Sequence, residues 1–122
     1  LWACHDRQMD ELCIPYLGEE RAAWQYPFAD LVRHGTRLAA GSDWPVSSAD
    51  PLQAMHVAVN RTAPPGDPAN AGHPAAQTPF LPHQALDLAT ILTAYTAGSA
   101  WLNRSPAGVI AEGAPAAVRF AG

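Results

Sequence analysis

The sequence predicts an α/β fold of the parallel kind, and two observations carry that prediction. The first is a helix–glycine–strand unit. Phe28, Leu31 and Val32 fall at i, i+3 and i+4, Gly35 follows His34, and a short apolar stretch, Leu38-Ala39-Ala40-Gly41, then runs into Ser42-Asp43-Trp44-Pro45. The second is a helix start directly after that stretch, where Asp50 offers a capping oxygen and Pro51 occupies a first-turn position. A buried strand that ends in a lone carboxylate is how parallel α/β barrels present catalytic groups, because the strand is rigid and the following loop is free to vary. Asp43 is therefore the residue to explain. A complete eight-stranded barrel takes roughly 250 residues, so a chain of 122 residues reads as part of one, and a first residue of Leu1 fits a partial chain.

Along the chain, Leu1-Trp2-Ala3 reads as a strand end, and His5 to Glu11 as a polar loop or short helix. Glu19 to Trp24 forms a helical turn, and Pro27 opens the next helix, where its missing N–H costs nothing. Gly35 supplies the left-handed stop of that helix. From Pro51 to about Arg61 the positions Leu52, Met55, His56 and Val59 keep helical spacing. Residues 62–83 form a proline-rich loop, with six of the chain's twelve prolines between Pro64 and Pro82. A loop this long inside a compact domain is a candidate lid. Asp87 caps a further helix with Leu88, Ile91, Leu92 and Tyr95 on one face, and a turn from Ser99 to Leu102 follows. Gly108-Val109-Ile110 and Ala117-Val118-Arg119-Phe120 read as two short strands joined by a turn at Glu112-Gly113.

Composition narrows the function classes. An apolar fraction of 48% suits a globular core, and a formal charge of −4 with seven scattered Lys and Arg gives no nucleic-acid footprint. No run approaches a membrane span and no signal-peptide pattern opens the chain, so a soluble, cytoplasmic setting is expected. Cys4 and Cys13 are too few for a disulfide framework and read as reduced thiols.

Asp43 follows Gly41 and Ala39 on its own strand face, small residues that leave room for a substrate or a metal ion. A carboxylate there can coordinate a divalent cation and can take a proton from a metal-bound water and pass it to a leaving group. The alternative is a turn cap, in which the Asp43 carboxylate accepts from nearby backbone N–H groups. His5, His34, His56, His73 and His83 contain neither an H-x-H pair nor an H-E-x-x-H face, and make no metal site alone. Among them His5, after a strand end, is the least easily dismissed. Ser42 lacks the G-x-S-x-G turn of a nucleophile; Ser42 and Trp44 are candidates for the pocket wall. Arg61 reads as a surface cation rather than an anion clamp.

The runs Trp24-Gln25-Tyr26-Pro27-Phe28, Leu38 to Val46, Asp50-Pro51-Leu52 and His56-Val57-Ala58-Val59-Asn60-Arg61 closely resemble the C-terminal part of the metal-dependent amidohydrolase superfamily, nearest to amidohydrolase family 3, the YtcJ-like proteins. The helix Leu88 to Thr96 and the Gly108…Gly113 turn resemble the segment in which that family leaves its barrel for a small β-domain. The resemblance implies the last strand and flanking helices of a distorted (β/α)8 TIM barrel over residues 1–105, and a return to a small β-sandwich domain over 106–122. It carries over one functional residue, Asp43, as metal ligand and general base. The family's other ligands, its H-x-H pair, bridging carboxylated lysine and later histidines, have no counterparts here. One departure is Ala116-Ala117, where the family has Ala-Asp.

The implied function is hydrolysis of a non-peptide C–N bond, such as an N-acyl or N-formyl amide, with one or two divalent ions, zinc first among them, in the complete enzyme. The implied partners are a small-molecule amide and the remainder of the barrel, with no nucleic acid or membrane. This stretch alone is expected to be inactive. The rival readings are a non-catalytic remnant or small α/β interaction module and, within the superfamily, a deacetylase or cyclic amidase.

Overall fold

The computed structural model describes residues 13–66, 71–72 and 77–115. The helices run in chain order α1 (Ile14–Leu17), α2 (Glu19–Ala22), α3 (Phe28–Arg33) and α4 (Pro51–Asn60), then a 3₁₀ turn (Pro82–Gln84), α5 (Leu88–Thr93), a π turn (Ala94–Gly98) and α6 (Ser99–Leu102). The last three are contiguous and form one helical run interrupted by the π turn.

Local chemistry explains the boundaries. Helix α3 starts at Phe28 with Pro27 as its N-cap, one residue later than Pro27's own chemistry suggested. It ends in a Schellman motif, in which Gly35 N–H donates to the Val32 carbonyl and Thr36 N–H to the Leu31 carbonyl, with Gly35 at φ +79°. Asp50 caps α4 by accepting from Leu52 N–H at 2.9 Å, and Asp87 caps α5 by accepting from Thr90 N–H at 2.7 Å. Both caps are those that the Asp-Pro and Asp-Leu steps dictate.

The core lies where α4 meets α5. Met55, Val57, Ala58, Leu86, Ile91 and Ala94 are buried, and Phe28, Val32, Leu38, Ala40, Val59 and Tyr95 pack against them. The expected faces are shifted. Leu52 on α4 and Leu88 and Leu92 on α5 are 61%, 57% and 42% exposed. The helix stripe that is buried on α4 instead includes Val57, Ala58 and Arg61, because Leu86 N–H donates to the Ala58 carbonyl and brings the return of the long loop onto that side.

Residues 36–43, expected as a buried strand, carry no ladder among the described residues. A strand needs a neighbour to exchange backbone hydrogen bonds with, and this segment bonds a helix instead. Ala40 N–H donates to the Ala94 carbonyl at 3.0 Å, and Ser99 Oγ donates to the Ala40 carbonyl at 2.6 Å. The Ala94 carbonyl, at the start of the π turn, also accepts from Ser99 N–H and from Ser99 Oγ, so the segment docks where the helical run departs from α geometry. Gly98 completes the docking, since a Cβ there would lie 2.2 Å from the Leu38 carbonyl oxygen. Residues 108–110, also expected as strand, are irregular. The expected elements at 1–3, 5–11 and 117–120 and the Ala116-Ala117 departure lie outside the described residues.

Candidate functional site

The docked segment ends in Asp43, three residues beyond the anchored Ala40. Asp43 is exposed and its backbone is left-handed, with φ +56°. That conformation is uncommon for any residue but glycine, and Asp and Asn tolerate it best. Both peptide groups that flank Asp43 are held. The Ser42 carbonyl accepts from Ser47 Oγ; the Trp44 N–H donates to Ser42 Oγ at 3.3 Å; and the Asp43 carbonyl accepts from Val46 N–H at 2.9 Å. The peptide bond between Trp44 and Pro45 is cis.

The turn-cap alternative assigned this job to the Asp43 carboxylate. The loop is instead closed by the two serine hydroxyls and the Asp43 main-chain carbonyl, and the carboxylate accepts no hydrogen bond from any described residue. A carboxylate kept at the tip of a fixed loop with its lone pairs unspent is a hard oxygen donor and a proton acceptor. It fits one position in a divalent-cation centre. Among the described residues no three His, Cys, Asp or Glu side chains converge, and a catalytic zinc takes about three protein ligands, so these residues do not make a metal centre by themselves.

The remaining candidates are spread apart. Trp44 is 69% exposed, and Ser42, offered as pocket wall, spends its hydroxyl inside the loop. A cavity of about 320 Å³ lies instead between Val32, Leu38, Thr93 and Gly98, with Arg37 at its rim and neither an acid nor a histidine in its wall. His34 is the C-cap residue of α3, and His83 sits in the 3₁₀ turn. His56 is half-buried, with Nε2 3.2 Å from Thr62 Oγ1 and Nδ1 3.2 Å from Asn60 Nδ2, an arrangement that spends both ring nitrogens on the end of α4. His5, His73 and Cys4 lie outside the described residues.

Arg61 corrects its sequence reading outright, being 2% exposed. It takes the left-handed C-cap of α4 at φ +58°, donates from Nε to the Phe80 carbonyl at 2.9 Å and from Nη1 to the Tyr26 carbonyl at 3.5 Å, and lies 6.0 Å from the Phe80 ring centroid. Burial pushes its pKa down from the usual guanidinium range. Its Nη2 meets no acceptor. Sequence spacing gave no sign of this, because the acceptors are backbone carbonyls far away in the chain.

A model of the Amidohydrolase family matches residues 2–118, and the chain belongs to that family. Among solved structures, an uncharacterized metal-dependent hydrolase from Pyrococcus furiosus is similar with a TM-score of 0.58 and 28% sequence identity, over 81% of this chain and 18% of that one. The protein LONG AFTER FAR-RED 3 from Arabidopsis thaliana is 44% identical over 52 residues, 42% of this chain and 9% of the relative. The chain thus spans less than a fifth of the length of either protein. No helix of the described residues is long and apolar enough to cross a membrane.

Proposed function

We propose that this chain supplies the last barrel segment of a metal-dependent amidohydrolase acting on non-peptide C–N bonds of the N-acyl or N-formyl amide class. Asp43 is its catalytic carboxylate and a ligand to a divalent ion, zinc being the first candidate. The observation that carries this reading is the free Asp43 carboxylate on a left-handed loop closed by three hydrogen bonds. Family membership and the metal-dependent hydrolase neighbour support it.

When bound, the ion supplies Lewis-acid polarisation and lowers the pKa of water. The chain's own part is narrower. Asp43 would serve as a carboxylate ligand to the ion, and it would take a proton from the attacking water and pass it to the departing nitrogen. Residues 1–122 alone give no turnover, because one carboxylate does not hold the ion. Large side chains left exposed, Tyr16 and Trp24 at 83% and 74% among them, support association with the remaining barrel.

The test is turnover of a panel of N-acetyl and N-formyl amides by the complete protein that carries this segment, with and without Asp43→Asn. Loss of at least 10³-fold in kcat is expected, on the order of what removal of a catalytic proton carrier costs. Turnover unchanged in Asp43→Asn would refute the assignment and leave the segment as an interaction module.

A further inference from the structure

Asp43 sits in a left-handed conformation that a non-glycine residue leaves unless its neighbours hold it, at a cost of about 1–3 kcal/mol. Holding it means fixing the peptide plane on either side. The plane after Asp43 is fixed locally, by Val46 N–H on the Asp43 carbonyl and by Ser42 Oγ on Trp44 N–H. The plane before it, which contains the Ser42 carbonyl, is held by a side chain from across the loop, Ser47 Oγ, a hydroxyl half-buried five residues on. Release of that plane lets φ of Asp43 leave +56°, and with it the left-handed backbone from which the side chain is presented.

We propose that Ser47 is a positioning residue for Asp43: by donating to the Ser42 carbonyl it fixes the direction in which the Asp43 carboxylate is presented. The inference rests on the reading of Asp43 as a metal ligand given above. Outer-shell groups in metal sites orient a ligand without touching the metal, and their loss weakens metal binding; Ser47 acts one step further back, through the Ser42 carbonyl. Small errors of direction are costly there, because productive geometry tolerates about 0.5 Å.

The experiment compares Ser47→Ala, Ser47→Thr and Asp43→Asn in the complete protein. Zinc affinity is read by competition with a chromophoric chelator, stability by thermal unfolding of the metal-free protein, and Asp43 φ from a crystal structure of the alanine variant. Ser47→Ala is expected to weaken zinc binding roughly 10–100-fold, to shift Asp43 out of the left-handed region, and to leave the metal-free Tm within about 3 °C. Ser47→Thr, which keeps the hydroxyl, is expected to restore the affinity. If Asp43→Asn weakens zinc binding while Ser47→Ala does not, the positioning role is wrong and the reading of Asp43 stands. If Ser47→Ala lowers Tm and affinity together and threonine rescues neither, the role is only structural and the proposal falls. If Asp43→Asn binds zinc like the wild type, both fall.

Discussion

Arg61 and Phe80 hold each other by a reciprocal pair of hydrogen bonds: Phe80 N–H donates to the Arg61 carbonyl at 2.8 Å, and Arg61 Nε donates to the Phe80 carbonyl at 2.9 Å. The pair closes the proline-rich loop at its base. One partner is the left-handed cap of α4 and the other lies nineteen positions on, two residues before the 3₁₀ turn. Helix α4 has ten residues, so the loop leaves the fold about 15 Å from the start of the helix that follows Asp43.

Replacing Arg61 with alanine is expected to cost on the order of 2–4 kcal/mol. The loss combines stranded Phe80 and Tyr26 carbonyls with a cavity where a buried side chain stood, and it outweighs the relief of removing an orphaned Nη2. Lysine is expected to rescue little, since it lacks the planar fork that reaches two carbonyls. Denaturant midpoints measure the loss, and limited proteolysis between Arg61 and Phe80 should accelerate in parallel. A lysine variant as stable as the wild type would show that charge alone suffices.

The second anchor of the loop is pH-dependent. Buried Gln84 donates from Nε2 to Asp30 Oδ2 at 2.6 Å and accepts from Asp30 N–H at 3.1 Å. The Gln84 bond lowers the Asp30 pKa, with Arg33 adding to it against a smaller opposing desolvation. A depressed carboxyl pKa stabilises the fold fully above the unfolded value near 3.9 and loses that contribution as pH falls through the lower, folded value. Asp87, lowered by Thr90 N–H, acts in the same window. Urea midpoints between pH 6 and pH 2.5 should therefore fall on the acid side, and Asp30→Asn should fall less steeply, because an amide pair with Gln84 survives acid. Equal slopes would remove Asp30 from the account.

Two glycines distinguish close approach from backbone freedom. Gly98→Ala places a methyl group 2.2 Å from a backbone oxygen that is itself fixed by the docking of residues 36–43, so it is expected to cost about 1–3 kcal/mol or more and to displace that segment. Gly35→Ala meets open space and pays only for φ +79°, about 1 kcal/mol. Thermal unfolding ranks the two. In the complete enzyme Gly98→Ala should also lower kcat, whereas Gly35→Ala should not. Equal activity in both would mean that the docking does not position Asp43.

What was legible in the sequence follows from the range of each interaction. Caps and stops such as Asp50, Asp87 and Gly35 act within a turn, and residue type alone announces them. The reading of Asp43 as a site residue rests on the same kind of short-range signal, an acid after a small-residue run. The buried guanidinium of Arg61, the Gln84–Asp30 pair and the bond from Ala40 to the π turn join residues 19 to 54 positions apart, and their partners are backbone groups or a single amide with no pattern of their own. The expected helix faces held in part, since Met55 and Ile91 are buried and Phe28, Val32, Val59 and Tyr95 pack on the core, while Leu52 does not. Leu88 and Leu92 are apolar at helical spacing and still exposed, because spacing identifies an apolar stripe and not what covers it.

The left-handed backbone of Asp43 leads to the last prediction. A residue retained for its shape alone would be improved by glycine, which adopts φ +56° without steric cost. Asp43→Gly is therefore expected to leave stability unchanged or raise it by up to about 1 kcal/mol, while Asp43→Ala, which keeps the Cβ without a polar group suited to this conformation, should lower it by a similar amount. Both should abolish amide hydrolysis by the complete protein. Calorimetry of the metal-free forms beside turnover separates the two effects. Stability retained in Asp43→Gly together with lost turnover means that an acid occupies a glycine position because the reaction needs it, the trade expected where strain serves a site. A large loss of stability in Asp43→Gly would instead give the carboxylate a structural partner and return it to the role of a turn cap.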